Sequence, residues 1–361
     1  MLKKILYLSK QFISIESIFG NSKALDKVLE IALQNLKEFT IEKFSKDGVN
    51  SALIYNTKSR PKKFKIILNG HLDVIPGKKH QYKYRIIKNK LYGVGAMDMK
   101  SNVACLILSF KKIAKKVNYP VALQLVTDEQ SGSLSGTKYQ LKKGVKADFV
   151  IAGETTNFNI VNEAKGVMWI KIFVKGKSAH SAYPWLGKNS IWEMNSFLNK
   201  LKKKFPVPIK EVDATTVSLS RIETNNDSFN KIPDECTVWL DIRYIDSDKK
   251  IVISQIEKLL PKNFKSKIIF EESPIHVDKK NQYLQKLLNI ASKITRHKVS
   301  LYRANGTSDL TYYAEIGCPG VEFGPIGKTG NTNDEWVDIK SLKRYYQIVT
   351  KYLLSLNNNL K

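Results

Sequence analysis

The chain has 361 residues, 42% of them apolar and 10% aromatic, a globular composition that excludes disordered, collagen-like and disulfide-framed proteins. Its 60 Lys and Arg against 33 Asp and Glu give a formal charge of +27, but only seven of the cations are Arg and the Lys are scattered through every segment. Nucleic-acid recognition favours Arg forks in concentrated patches, so that class is set aside.

The N-terminal run MLKKILYLSKQFISIESIFG predicts a first helix, because Lys10 and Gln11 interrupt the apolar stretch that a leader peptide would need. Leu25, Val28, Leu29, Ala32, Leu33 and Leu36 recur at helical spacing and predict an amphipathic helix over 23–39. Short apolar runs then end at Leu68 (FKIIL), Val126 (VALQLV) and Ala152 (DFVIA), with a helix near 102–115 between the first two. Such alternation predicts parallel strands joined by crossover helices. From Val167 the texture becomes a two-residue alternation: strand VMWIKIFVKG, helix 190–203, strands 215–222 and 236–244, helix 249–260 and strand 267–270. That β-α-β-β-α-β order is ferredoxin-like. Helix and strand alternate again after Asn281, and a long helix from Ile339 to about Leu356 closes the chain. The expected organisation is one discontinuous α/β domain, 1–165 with 279–361, interrupted by an inserted α+β domain, 166–278.

Candidate ligands stand at the carboxyl ends of the strands, where open α/β sheets hold their ligands. His71 and Asp73 follow the first, Asp128 and Glu129 the second, Glu154 the third, and Asp98 precedes the helix near 102. An imidazole and several carboxylates arriving from separate strand ends suit Zn²⁺, Mn²⁺ or Co²⁺. Taken singly, each has a plainer role: a surface histidine, a helix cap at Asp98, a solvated Glu129. The cysteines Cys105, Cys236 and Cys318 form no CxxC pair and fit a reducing cytoplasm, and no apolar run is long enough for a membrane helix.

The runs GHLDVIPG (70–77), YGVGAMDMK (92–100), TDEQSG (127–132), GET (153–155), GKSAHSAYPWLGKNSI (176–191), NKIPDE (230–235) and NGTSDL (305–310) appear in the order of a zinc metallohydrolase family. The chain thus resembles the family of acetylornithine deacetylase, succinyl-diaminopimelate desuccinylase, aminoacylase and glutamate carboxypeptidase. The resemblance implies a zinc-exopeptidase-like α/β catalytic domain with an inserted ferredoxin-like lid that dimerises. It implies His71, Asp98 and Glu154 as metal ligands, Asp73 as the group orienting His71, and Glu129 as general base. It further implies substrate contacts from His180, Asn230, Arg243, Gly306, Thr307 and Ser308, while the stretch Thr307–Asp309 could equally cap the start of a helix, and both roles can hold together.

Two positions depart from the family pattern. The second Glu of a DEE run is Gln130, and the histidine of an HTxxE pattern is Asn331. Both are neutral amides, so a second metal site is degenerate and the expectation is one strong zinc site, with Co²⁺ or Mn²⁺ as alternatives. Val94 and Ser101 replace an Arg and a Gly and are expected to alter loop packing, while His80, His276 and His297 sit in no ligand pattern. The expected activity is hydrolysis of an amide bond in an N-acyl amino acid or dipeptide bearing a carboxylate, by metal-activated water. The alternative is an inactive relative that binds a small molecule or peptide. The expected partners are a second copy of the chain and, given the basic surface, an acidic carrier protein.

Overall fold

The computed structural model describes residues 1–328, 330 and 332–358, so the expectation for Asn331 lies outside the described residues. The chain separates into two compact units, Met1–Glu163 with His276–Tyr302 and Ser308–Lys361, and Ala164–Ile275 with Arg303–Thr307. None of the described helices is long and apolar enough to cross a membrane.

The first unit is a sheet sandwiched by helices. Its strands Phe64–His71, Val121–Val126 and Ala147–Ala152 are almost wholly buried, as expected of continuous apolar runs covered on both faces. Phe64–His71 pairs in parallel with both of the others, and Gly320–Phe323 adds in parallel beside Ala147–Ala152. The edges are antiparallel: Val49–Tyr55 joins Val121–Val126, and Ile160–Ala164 joins Gly320–Phe323. The hairpin Thr40–Lys46/Val49–Tyr55 was not among the elements read from the sequence. Its turn is Asp47–Gly48, both at positive φ, the Asp-Gly pair that a two-residue hairpin favours.

The helices obey the spacing of their apolar residues. Ser22–Gln34 buries Leu25, Val28, Leu29, Ala32 and Leu33, and the Asn21 side chain caps its start by accepting from the Ala24 N–H. Leu36, the last residue of the predicted pattern, is buried beyond the helix end. Lys100–Ile113 and the closing helix Ile339–Ser355 bury their apolar faces in the same core, where Phe110, Leu342, Tyr345 and Tyr352 are wholly inaccessible.

The second unit runs strand Gly166–Lys175, helix Ser190–Lys204, strands Thr216–Thr224 and Glu235–Tyr244, helix Lys249–Leu259 and strand Phe264–Glu272. Its strands form one antiparallel sheet with Gly166–Lys175 and Glu235–Tyr244 in the centre. Met168, Ile170, Ile172 and Val174 alternate inward with Cys236, Val238, Leu240 and Ile242, and Met194, Phe197 and Leu201 of the first helix lie on them. Trp169, Lys171, Trp239 and Arg243 stand on the other face, where Trp169 stacks on Phe270. Phe197 is 1% exposed. Phe197→Ala is expected to destabilise this unit by about 3–5 kcal/mol. Trp169, Trp185, Trp192 and Trp239 all lie in it, so denaturant unfolding followed by tryptophan fluorescence reads the loss directly.

Candidate metal centre

The parallel register sets the centre. His71 is the last residue of its strand and lies opposite Val126, and Asn69 two residues earlier lies opposite Ala152. Chain continuing past Val126 and past Ala152 therefore brings Glu129 and Glu154 to one sheet edge beside His71. Asp98 reaches the same place from the loop that precedes the helix Lys100–Ile113.

Three carboxylates converge on one imidazole nitrogen. His71 Nε2 lies 2.9 Å from Asp98 Oδ1, 3.7 Å from Glu129 Oε2 and 3.8 Å from Glu154 Oε1. Ligand atoms of His71, Asp98 and Glu154 all fall within 4.8 Å of one another, and this is the one such His, Cys, Asp or Glu group among the described residues. Asp98, Glu129 and Glu154 keep side-chain exposures of 20%, 15% and 16%, so the cluster opens to solvent.

Its electrostatics are those of an anion cage. Burial holds both carboxyls well above their usual range, partly offset by His71, with Glu154 further opposing ionisation of Glu129 and Asp98 that of Glu154. Burial alone would keep His71 neutral, but Glu129, Asp73, Asp98 and Glu154 together push its pKa well above the ordinary value. A divalent cation relieves all three conflicts at once, and imidazole with carboxylate oxygens is a donor set that zinc accepts. The residues present fit a metal ion on these grounds.

A ring of neighbours fixes the donors. His71 Nδ1 lies 3.0 Å from the Asp73 carbonyl oxygen and 3.5 Å from its carboxylate Oδ1. That carboxylate accepts the backbone N–H of Glu129 at 3.2 Å and of Gln130 at 2.8 Å, so Asp73 ties the imidazole to the turn carrying Glu129. Asn102 donates to the Gly153 carbonyl at 2.7 Å, the Thr155 hydroxyl at 2.9 Å and the Met97 carbonyl at 3.2 Å, linking the loops that bear Asp98 and Glu154. Gly324 passes so close to the Glu154 carbonyl that no Cβ fits there. The Gln130 amide donates 2.9 Å to Glu129 Oε2 and 3.3 Å to Asp98 Oδ2.

Residues that the motifs did not single out complete the site. Glu335 accepts the N–H groups of Gly95 at 3.1 Å, Met97 at 2.8 Å and Asp98 at 3.1 Å, clamping the Asp98 loop. Burial pushes its carboxyl up to about 7. It is the last residue of the HTxxE-like run, the signal that could have found it. Asp309 is buried beneath the centre and accepts from Asn69 at 2.8 Å, Thr137 at 2.7 Å and Ser133. The expected cap over 307–309 is corrected accordingly. The helix is Leu310–Glu315, with Asp309 at its N-cap and no side-chain capping bond, because the Asp309 carboxylate is spent on Asn69, Thr137 and Ser133. Asp98 is likewise no cap, since the helix Lys100–Ile113 begins from Met99 without a side-chain capping bond. Val94 is buried with Val74 and Tyr82, a packing role in place of a charge.

The residues expected from the sequence to contact a substrate fall in or beside the second unit. His180 is exposed, its Nδ1 accepting the Ala182 N–H at 3.0 Å, and the next residue, Ser181, donates its N–H to the Asn230 carbonyl. Arg243 is half-buried and bidentate to Asp241, at 2.7 and 3.1 Å. Gly306 is exposed and Thr307 donates to Glu272 at 2.9 Å, while Ser308 belongs to the first unit and is buried. His276 is exposed on its side chain and lies 3.5 Å from Glu163.

Comparison with known proteins adds a lineage. The profile of the family described as Peptidase family M20/M25/M40 matches residues 67–355. A succinyl-diaminopimelate desuccinylase of Pelagibacter ubique is 32% identical over 310 residues, 79% of this chain and 80% of that protein. The crystal structure of aminopeptidase PepT from Bacillus cereus superposes with a TM-score of 0.81 at 15% identity, covering 99% of each chain. An M20 family metallo-carboxypeptidase from Sulfolobus solfataricus gives 0.78 at 17% identity, over 97% of this chain and 98% of that one.

Proposed function

The chain belongs to peptidase family M20/M25/M40, a family of metal-dependent hydrolases of C–N bonds, and from that premise we propose that it removes an acyl group from an N-acyl amino acid bearing a carboxylate. The observation that carries the reading is the convergence of Asp98, Glu129 and Glu154 on His71 Nε2. The 32% identical desuccinylase favours an N-succinyl amino acid over a dipeptide as substrate.

In this reading His71, Asp98 and Glu154 hold one zinc ion, for which Co²⁺ or Mn²⁺ can substitute. A cation so held lowers the pKa of water to about 7 and polarises a carbonyl. Glu129 takes the proton from water as its oxygen bonds to the amide carbon, and delivers that proton to the leaving nitrogen as the C–N bond breaks. Acid and amine are released without a covalent enzyme intermediate. Burial holds the Glu129 carboxyl above its ordinary range, which suits a group that must first accept and then donate a proton. Asp73 keeps His71 oriented and the Glu129 turn in place. His180, Asn230, Arg243, Gly306, Thr307 and Ser308 contact the substrate, with Arg243 exchanging Asp241 for the substrate carboxylate. The segment 166–278 acts as a lid that pairs two copies of the chain, and the Lys-rich surface attracts acidic substrates or an acidic carrier in the cytoplasm.

The test is release of succinate or acetate from a panel of N-acyl amino acids, run beside dipeptides. Turnover that disappears on chelation and returns with zinc is the expected result. Zinc-loaded protein that turns over no member of the panel overturns the reading in favour of the binding-only relative.

A further inference from the structure

The geometry points to the Gln130 side-chain amide as the positioning group of a single-metal centre: it holds Glu129 toward the metal and closes the second oxygen of Asp98 to a second cation. The orientation of the amide follows from its neighbours. Both groups facing Nε2 are carboxylates, which accept and do not donate when ionised, so the NH₂ end must meet them. Asp98 is thereby divided. Its Oδ1 faces His71 Nε2 at 2.9 Å, on the metal side, and its Oδ2 faces the Gln130 N–H at 3.3 Å. A hydrogen on that side stands where a second cation would need a lone pair.

The same amide acts on Glu129. Its Nε2 lies 2.9 Å from Glu129 Oε2, the oxygen that is also 3.7 Å from His71 Nε2. Gln130 is itself fixed, because its backbone N–H is held by Asp73 Oδ2 at 2.8 Å in the short turn Glu129–Ser131. The base is therefore oriented by a neighbour whose own backbone is tied to the carboxylate beside His71. A glutamate here would add a further anion to Asp98, Glu129 and Glu154, tolerable only with additional positive charge. A neutral donor fits an active centre built around one cation.

The inference rests on the hydrolase reading for its kinetic arm and is independent of it in its metal arm. Equilibrium dialysis of the purified full-length protein against Zn²⁺, read by elemental mass spectrometry, is run on wild type, Gln130→Met and Gln130→Glu. Wild type and Gln130→Met should bind one zinc per chain with affinities within about threefold, since Met preserves shape and removes only the donor. Gln130→Glu should take up a second, weaker cation. Two zinc ions in wild type, or one in Gln130→Glu, overturns the exclusion of the second cation. In the assay Gln130→Met should lose roughly 10- to 100-fold in kcat, the worth of a hydrogen bond to a charged group, with KM changed by less than about threefold. Unchanged kcat in a variant whose thermal unfolding matches wild type overturns the positioning role. Absence of turnover in every variant speaks against the hydrolase reading, and the zinc counts still decide the metal arm.

Discussion

Replacing Glu129 with Gln is expected to lower kcat by about 10²- to 10⁴-fold, the range supplied by a positioned general base, while leaving the metal content of the purified protein unchanged. The separation follows from the ligand geometry. The metal-sized group is His71, Asp98 and Glu154, and Glu129 stands beside it at 3.7 Å from the same imidazole nitrogen. Gln is nearly isosteric and keeps a partner for the Gln130 amide, so the variant should fold and load normally. KM should change little, because the proton transfer lost belongs to the transition state alone. Zinc lost in proportion to activity would make Glu129 a ligand and not a base.

His71→Ala has the opposite signature. It removes the sole imidazole among three donors, so zinc affinity should fall by more than about 100-fold, beyond the 10- to 100-fold typical when a group supporting a ligand is lost. Hydrolysis should vanish at stoichiometric zinc. The fold should persist, because the strand before His71 is held by parallel partners on both sides. Equilibrium dialysis against zinc and circular dichroism of the metal-free protein check the two halves. Retained stoichiometric zinc would move the metal elsewhere.

The grouping of His71, Glu129 and Glu154 was legible because each follows an uninterrupted apolar strand, and a strand end is a position that sequence marks well. His71, Glu129 and Glu154 could be placed on one sheet edge before any coordinate. The inserted β-α-β-β-α-β segment was legible for a similar reason: its two-residue alternation from Val167 is the pattern of a sheet buried on one face only. The hairpin over 40–55 was missed because its burial is uneven, with Thr40–Lys46 mostly half-exposed and Val49–Tyr55 mostly buried, so no single period runs through it. Glu335 and Asp309 escaped for another reason. They act on backbone N–H groups more than two hundred residues away in Glu335's case and on neutral side chains of two distant segments in Asp309's, pairings that leave no local trace apart from the HTxxE-like run in which Glu335 stands. The helix start at 307–309 was legible as one of two roles, and Asp309 is the N-cap residue, but its carboxylate serves Asn69, Thr137 and Ser133 and makes no capping bond.

Glu335 also bears on how such a site can change over time. The clamp holds the Asp98 loop by the backbone N–H groups of Gly95, Met97 and Asp98 and not by their side chains. A side chain of that loop can therefore be exchanged while the clamp on its backbone persists. What the centre holds and whether the scaffold survives are thus separable, and the first can change without first unravelling the second.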